Sequence, residues 1–264
     1  MLQQRARLVL LGSGVLMLPM MALNLLLSVL AFDSFDSFDN LFADRGYIGV
    51  ESGSVFLAIV VQSFTAHLIG AYVATLLVRH QLGGEPTIRE CLAATFRRLP
   101  TLLLTWPMTH WWAVLLALAA VNAPSVVGGL STFILPVAAM FTALVLPVVP
   151  VLMTEHSGVR SIPRAARLAR TRFGAVWGFV MLCGIISGSL FFFIAELPFL
   201  LERTGLVKFG SAGYLIQGVT MQLALLVALP LSALATAQLY LQLRVHAEGI
   251  DIAMAADRAF GTRA

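Results

Sequence analysis

Two histidines occupy matching positions in two apolar stretches of this sequence. His67 precedes Arg79 by 12 residues, and His110 follows Arg98 by 12 residues. In helices, these spacings place both imidazoles about 18 Å from the neighbouring basic ends. Polar groups at such a depth in a membrane usually face protein or water. The pair therefore predicts a path for a proton or a solute, with hydrogen bonding between packed helices as the competing interpretation.

Ser63 and Thr109 extend the candidate polar path. Ser63 precedes His67 by four residues, a spacing that shares a helix face, and Thr109 adjoins His110. The sequence has no phosphate-binding glycine loop, HExxH, paired-cysteine motif or GxSxG. We therefore assign no catalytic, cofactor-binding or metal-binding residue and predict that the protein is not an enzyme.

A second polar group stands where apolar stretches end. It contains Glu155, Arg244, Glu248 and Asp251, and the pair Arg244 and Glu248 is four residues apart. Two interpretations stay open: these residues hold the ends of the bundle together, or they form an inner gate or docking site. An enzyme acting on lipid head groups would need a convergent set of acids and bases, which only Glu155, His156, Arg244, His246 and Glu248 could supply.

The composition is that of a membrane protein. Of 264 residues, 59% are hydrophobic and 11% are charged, whereas soluble domains carry about 25% charged residues. The net charge of +4 does not indicate nucleic acid, because the arginines fall between apolar stretches, where phospholipid head groups are the nearer anions. We expect no cofactor.

The apolar stretches predict an all-α polytopic membrane protein forming one transmembrane domain over residues 1–264. About 20 residues at 1.5 Å rise cross a bilayer core. The first run is too long for a signal peptide, so we take it as a retained helix. The six predicted spans are 8–32, 54–78, 99–121, 131–153, 174–200 and 214–243.

The distribution of basic residues predicts the orientation. With the amino terminus inside, all but three of the 17 lysines and arginines lie on the cytoplasmic side; the three are Arg45, Arg203 and Lys208. Both termini are then cytoplasmic, and the expected location is a bacterial inner membrane.

Three inner connections share a plan that predicts amphipathic helices over 87–98, 161–172 and 251–260. Each begins with an N-cap type residue, namely Thr87, Ser161 or Asp251, and Thr87 forms a capping box with Glu90. Such helices lie along a membrane surface or under a bundle. The basic surface predicted to face anionic lipid consists of Arg97, Arg98, Arg160, Arg164 and Arg167.

Glycines in the fifth predicted span indicate close helix approach. Gly184 and Gly188 are four residues apart, as are Gly174 and Gly178. The approach would occur either inside one chain or in a homodimer through the face of Gly184 and Gly188.

Two passages resemble a bacterial family of six-helix membrane proteins related to the membrane domain of glycerophosphoryl diester phosphodiesterases. One runs from Leu152 through Glu155, Gly158 and Arg164 to Leu168. The other contains Pro230, Tyr240, Arg244, Glu248, Gly249 and Asp251. The resemblance implies the six-helix fold. It does not imply esterase activity, because no soluble phosphodiesterase domain is present in this sequence.

These features favour a non-enzymatic scaffold or accessory subunit whose basic inner surface binds anionic lipid or a membrane or cytoplasmic partner protein. The alternative is a permease or lipid-handling transporter with its path at His67 and His110. A hydrated cavity reaching both histidines would favour transport, and a dry interior would favour the scaffold.

Overall fold

The computed structural model describes residues 2–31, 50–81, 83–122, 136–155, 157–210 and 213–249, and every regular element in them is helical. The helices are α1 (Leu2–Ala31), α2 (Val50–Gln81), α3 (Ile88–Arg97), α4 (Leu99–Asn122), α5 (Pro136–Glu155), α6 (Ser161–Thr171), α7 (Phe173–Ala195), α8 (Leu197–Arg203) and α9 (Gly213–Glu248). A short 3₁₀ turn, Gly158–Arg160, precedes α6.

Five of the described helices are long and apolar enough to cross a membrane: α1, α2, α5, α7 and α9. The all-α prediction is thereby confirmed for the described part of the chain. The predicted span 99–121 corresponds to α4, a 24-residue helix that is not among these five. The count of six spans and the inward position of both termini stay predictions.

Two predicted spans differ from the helices in detail. The span 174–200 is interrupted, because α7 ends at Ala195 and α8 starts at Leu197, with Pro198 in its first turn. Proline lacks the N–H that would continue the helical ladder. The span 131–153 is described from residue 136, and α5 has a turn at Leu146 and Pro147 before Val148–Glu155.

The centre of the bundle is formed by α2 and α9, which pack against each other and against α1, while α2 also contacts α4 and α5. Ile69, Tyr72 and Val73 of α2 are fully buried. Residues 71–76 of α2 are all buried, so this part of the helix is enclosed by its neighbours on every side. The most enclosed helix is therefore the one that bears His67.

At the edge of the bundle, α7 packs mainly on α9 and exposes large apolar side chains such as Ile185 and Phe193. A Cβ added at Gly174, Gly178, Gly184 or Gly188 would meet no described atom within 4 Å. Within the described residues, these glycines thus do not mediate close approach inside the chain. The homodimer through Gly184 and Gly188 stays a prediction.

Helix α3 starts as the sequence indicates. Thr87 Oγ1 accepts a hydrogen bond from the Glu90 N–H at 3.3 Å, and Glu90 Oε2 accepts one from the Thr87 N–H at 3.2 Å. The capping box is confirmed. Two donors at the helix start, which would otherwise lack intrahelical partners, are satisfied in this way.

Helix α6 starts differently from the prediction. Ser161 is the first helical residue rather than the N-cap, which is Arg160, and no side chain caps the helix. The reason is Gly158, whose φ of 55° opens the 3₁₀ turn that leads directly into α6. The buried face of α6 contains Ala165 and Leu168, packed with Tyr240 of α9. The third predicted inner helix, 251–260, and Asp251 lie outside the described residues.

Candidate functional site

The two histidines contact each other edge to face. Their ring centroids are 5.2 Å apart, with an interplanar angle of 82°. This contact agrees with the matching depth indicated by their spacing from Arg79 and Arg98. Because α2 and α4 pack together, two residues distant in the chain form one polar centre inside the bundle.

Hydroxyl groups of α4 position both imidazoles. His67 Nε2 lies 3.2 Å from Thr105 Oγ1, and His110 Nδ1 lies 2.8 Å from Thr109 Oγ1. His67 is 2% exposed, and its Nδ1 has no hydrogen-bond partner in the described part of the chain. A buried nitrogen without a hydrogen-bond partner lowers the stability of the fold unless a ligand or water bonds to it.

A cavity of ≈ 190 Å³ reaches both histidines. It lies among four helices, with one histidine from α2 and the other from α4. A single water needs only about 10–15 Å³ of such space, so the cavity has room for several waters or one small solute. Its lining residues are Ala66, His67, Gly70, Thr109, His110, Thr142, Val145, Leu146, Val149, Pro150, Leu229, Ser232, Ala233 and Thr236.

Ser63, one of the predicted path residues, forms its hydrogen bonds outside the cavity. Its Oγ accepts a hydrogen bond from Trp106 Nε1 at 3.1 Å and donates to the Val60 carbonyl at 2.9 Å. It lies one helical turn from His67 and does not line the cavity. Ser63 therefore joins α2 to α4 by holding Trp106, while His67, His110 and Thr109 line the cavity together.

A row of polar residues on α9 connects the cavity to one end of the bundle. Ser232 and Thr236 line the cavity, and Tyr240, Arg244 and Glu248 follow at intervals of four residues. Side chains four apart are neighbours on a helix surface. The row therefore extends over about four turns, or roughly 24 Å.

The far end of this row is a network of charges between α5, α6 and α9. Glu155 Oε2 lies 2.9 Å from Arg164 Nε, and Glu155 Oε1 lies 3.7 Å from Arg244 Nε. Glu248 pairs with Arg244 at 3.0 Å and also contacts Arg164. Tyr240 donates its hydroxyl proton to Glu155 at 3.1 Å. Two acids and two bases alternate, so the group is neutral overall.

This network unites three of the predicted gate residues, Glu155, Arg244 and Glu248, and adds Arg164, which the sequence assigned to the lipid-facing surface. The guanidinium of Arg164 is paired with Glu155 and Glu248, and its place on the lipid-facing surface stays a prediction. The physical cause of the pairing is the turn at Gly158, which folds α6 back so that Arg164 meets the end of α5.

Arg98 also makes a hydrogen bond within the protein. Its Nη1 donates to the Leu152 carbonyl, one of the last carbonyls of α5, which lack intrahelical donors. Burial lowers the pKa of Arg98. Arg97, Arg160 and Arg167 are exposed, as the sequence predicts for a basic surface.

The polar residues that sequence reasoning missed are Thr142, Ser232 and Thr236 of the cavity and Tyr240 in the network. Single hydroxyls in apolar helices are common and usually bond to their own backbone, so they attract little notice. The signal available in the sequence was the polar residue at every fourth position from Ser232 to Glu248. Within the described residues, no group of three His, Cys, Asp or Glu could hold a metal ion.

The fold and site together define an all-helical protein whose apolar helices have the length and composition of membrane spans. Comparison with protein-family models, curated proteins and solved structures finds no match. The resemblance to the six-helix family therefore stays a prediction.

Proposed function

We propose that this protein is a permease for a small polar solute, with the cavity at His67 and His110 as its binding position. The observation that supports this most strongly is the cavity itself, which reaches both histidines at the depth where hydrocarbon would otherwise surround them. Unpaired polar groups inside a membrane protein are costly and typically mark substrate or ion pathways. A purely structural pair of histidines would not require an adjoining cavity.

The row of polar side chains on α9 supplies the second half of the path. From Ser232 and Thr236 it leads to the network of Glu155, Arg164, Arg244 and Glu248, which we propose to be the inner gate. The side chains in this network are 18–27% exposed, so water already reaches them. Ion pairs between helices can be broken and re-formed when the helices move against each other, so this network suits a gate between an aqueous phase and the cavity.

Flux measurements on purified protein in proteoliposomes test this proposal. Vesicles with protein should take up small polar solutes faster than empty vesicles. We expect His67→Leu to reduce the flux about tenfold, because a polar imidazole that lines the cavity is replaced by an apolar side chain. His80→Leu, the same change in the last turn of α2, should leave the flux unchanged. Equal fluxes in protein-containing and empty vesicles would contradict the permease proposal.

A second candidate function, a scaffold that binds anionic lipid or a partner protein, is favoured by the exposed arginines of the inner helices. Arg160 and Arg167 are exposed while Ala165 and Leu168 of the same helix are buried. A helix with one face packed and the other basic presents its charges outward. The two functions use different residues, so they can be tested independently.

Arg160→Gln combined with Arg167→Gln should reduce the anionic lipid that stays bound through mild-detergent purification. Each arginine near an anionic surface contributes about 1 kcal/mol, so the two substitutions together should lower the affinity roughly 30-fold. Native mass spectrometry measures the bound lipid, and Arg203→Gln in α8 is the matched control. Arg164 is left intact because its substitution would also break the ion-pair network. Unchanged lipid and partner recovery would exclude the scaffold.

A further inference from the structure

The hydrogen-bonding character of the cavity can be derived atom by atom, starting from His67. Thr105 Oγ1 donates its single proton to a backbone carbonyl, that of Thr101 at 3.0 Å or Leu102 at 3.2 Å. The contact of His67 Nε2 with Thr105 Oγ1 is compatible with either tautomer, and we assign the proton to Nε2 because it matches a Thr105 proton placed on the backbone carbonyl. In the neutral imidazole, only one nitrogen has a proton, so His67 Nδ1 is then an acceptor, buried and without a protein partner within the described residues.

The hydroxyl groups of the cavity have the same character. Thr142 donates to the Ala138 carbonyl at 2.8 Å, and Thr236 donates to the Ser232 carbonyl at 2.8 Å. A hydroxyl has one proton and two lone pairs, so each of these oxygens retains only acceptor capacity for a ligand. The polar surface of the cavity thus offers several acceptors and few donors.

The cavity lining also has no formal charge. None of the described lining residues is Asp, Glu, Lys or Arg. Placing an ion there would cost free energy that no opposite charge offsets. An anion meets an additional penalty, because the lone pairs of the lining repel it.

Resting on the proposed permease function, we infer that the cavity selects small uncharged solutes rich in N–H or O–H donors, of the size of urea or glycerol. Such a solute donates hydrogen bonds to the hydroxyl oxygens of Thr142 and Thr236, which line the cavity beside His67. It does so without placing a charge in the bundle. The chemistry that decides recognition is donation from the solute to the protein.

Stopped-flow light scattering on proteoliposomes tests the selectivity with five small solutes. Urea and glycerol donate hydrogen bonds and are neutral, trimethylamine N-oxide is neutral but only accepts, methylammonium is a cation, and formate is an anion. We expect urea and glycerol to pass faster than in empty vesicles and the other three to match empty vesicles. Passage of methylammonium, formate or trimethylamine N-oxide without urea would overturn the inference and leave the permease function standing. If no solute passes, the permease function itself fails and the inference with it.

Isosteric variants connect the selectivity to the cavity. Thr142→Val and Thr236→Val each remove one acceptor while keeping the shape, and we expect each to reduce urea flux about fivefold. Thr220→Val on α9 is the control, because Thr220 donates to the Ile216 carbonyl in the same manner but lies outside the cavity. Equal losses in all three variants, or no loss in any, would contradict selection by these oxygens.

Discussion

Replacing Glu155 with alanine is expected to lower the free energy of unfolding by about 2 kcal/mol. Removing one partner of a fully buried ion pair costs about 3–5 kcal/mol, and this network is partly exposed, so the smaller value applies. Glu155 joins α5 to Arg164 of α6 and to Arg244 and Tyr240 of α9. Without it, two guanidinium groups share only Glu248.

Unfolding of the detergent-solubilised protein, followed by tryptophan fluorescence, measures this effect. Glu85→Ala, in the exposed segment before α3, should change stability little and is the matched control. Arg164→Ala should lower the free energy of unfolding less in the Glu155→Ala background than in the wild type, because one of its ion-pair partners has already been removed. Strictly additive losses would show that the two side chains do not act as one network. If the network is the inner gate, Glu155→Ala should also raise the solute flux.

Gly12→Ala should lower the free energy of unfolding by a similar amount, but through a steric clash. A Cβ at Gly12 would lie 2.0 Å from Tyr72 Cζ and 2.1 Å from its hydroxyl oxygen. Tyr72 is fully buried, and its hydroxyl donates to the Leu8 carbonyl at 2.8 Å. The ring therefore cannot move without losing packing and a hydrogen bond. Overpacking of this kind costs about 1–3 kcal/mol, and we expect the upper part of that range.

Gly14→Ala on the same helix is a close control. Its Cβ would meet only Leu226 Cδ1, at 3.8 Å, which is ordinary van der Waals contact. Alanine is favoured over glycine within helices by about 0.5–1 kcal/mol, so Gly14→Ala should be neutral or stabilising. In addition, the double variant Gly12→Ala with Tyr72→Leu should be about as stable as Tyr72→Leu alone, since the smaller leucine side chain removes the clash. Equal melting temperatures for Gly12→Ala and Gly14→Ala would refute the close approach of α1 and α2.

Features that depend on spacing within one helix could be predicted from the sequence. The contact of His67 with His110 follows from equal distances to the basic residues of one connection, and the capping box at Thr87 and Glu90 follows from local chemistry. The helix predicted over 161–172 likewise corresponds to α6. Each of these depends on helical periodicity, which fixes where side chains lie before any tertiary contact is known.

Features that depend on how helices meet could not be predicted in the same way. Arg164 meets Glu155 because Gly158 adopts a positive φ, and the sequence alone left Arg164 free to face lipid. The four-residue glycine spacing in α7 is typical of close packing, yet no described neighbour approaches those glycines. Which face of an apolar helix is buried is undetermined when all its faces are apolar. The cavity at the histidines arises from four helices together and has no local signature.

The most direct test of the central claim, that water and solute enter the cavity, is labelling of a cysteine placed at Ala233. The background is Cys183→Ala; Cys91 can remain, because it is buried and burial raises the pKa of its thiol. The reagent is the neutral, water-soluble 2-hydroxyethyl methanethiosulfonate, and intact-protein mass spectrometry measures the rate. Ala237→Cys, one turn along α9 and fully buried, is the control. We predict that Ala233→Cys is labelled at least about tenfold faster, because only hydrated thiols ionise readily. Equal and slow labelling at both positions would contradict a hydrated cavity.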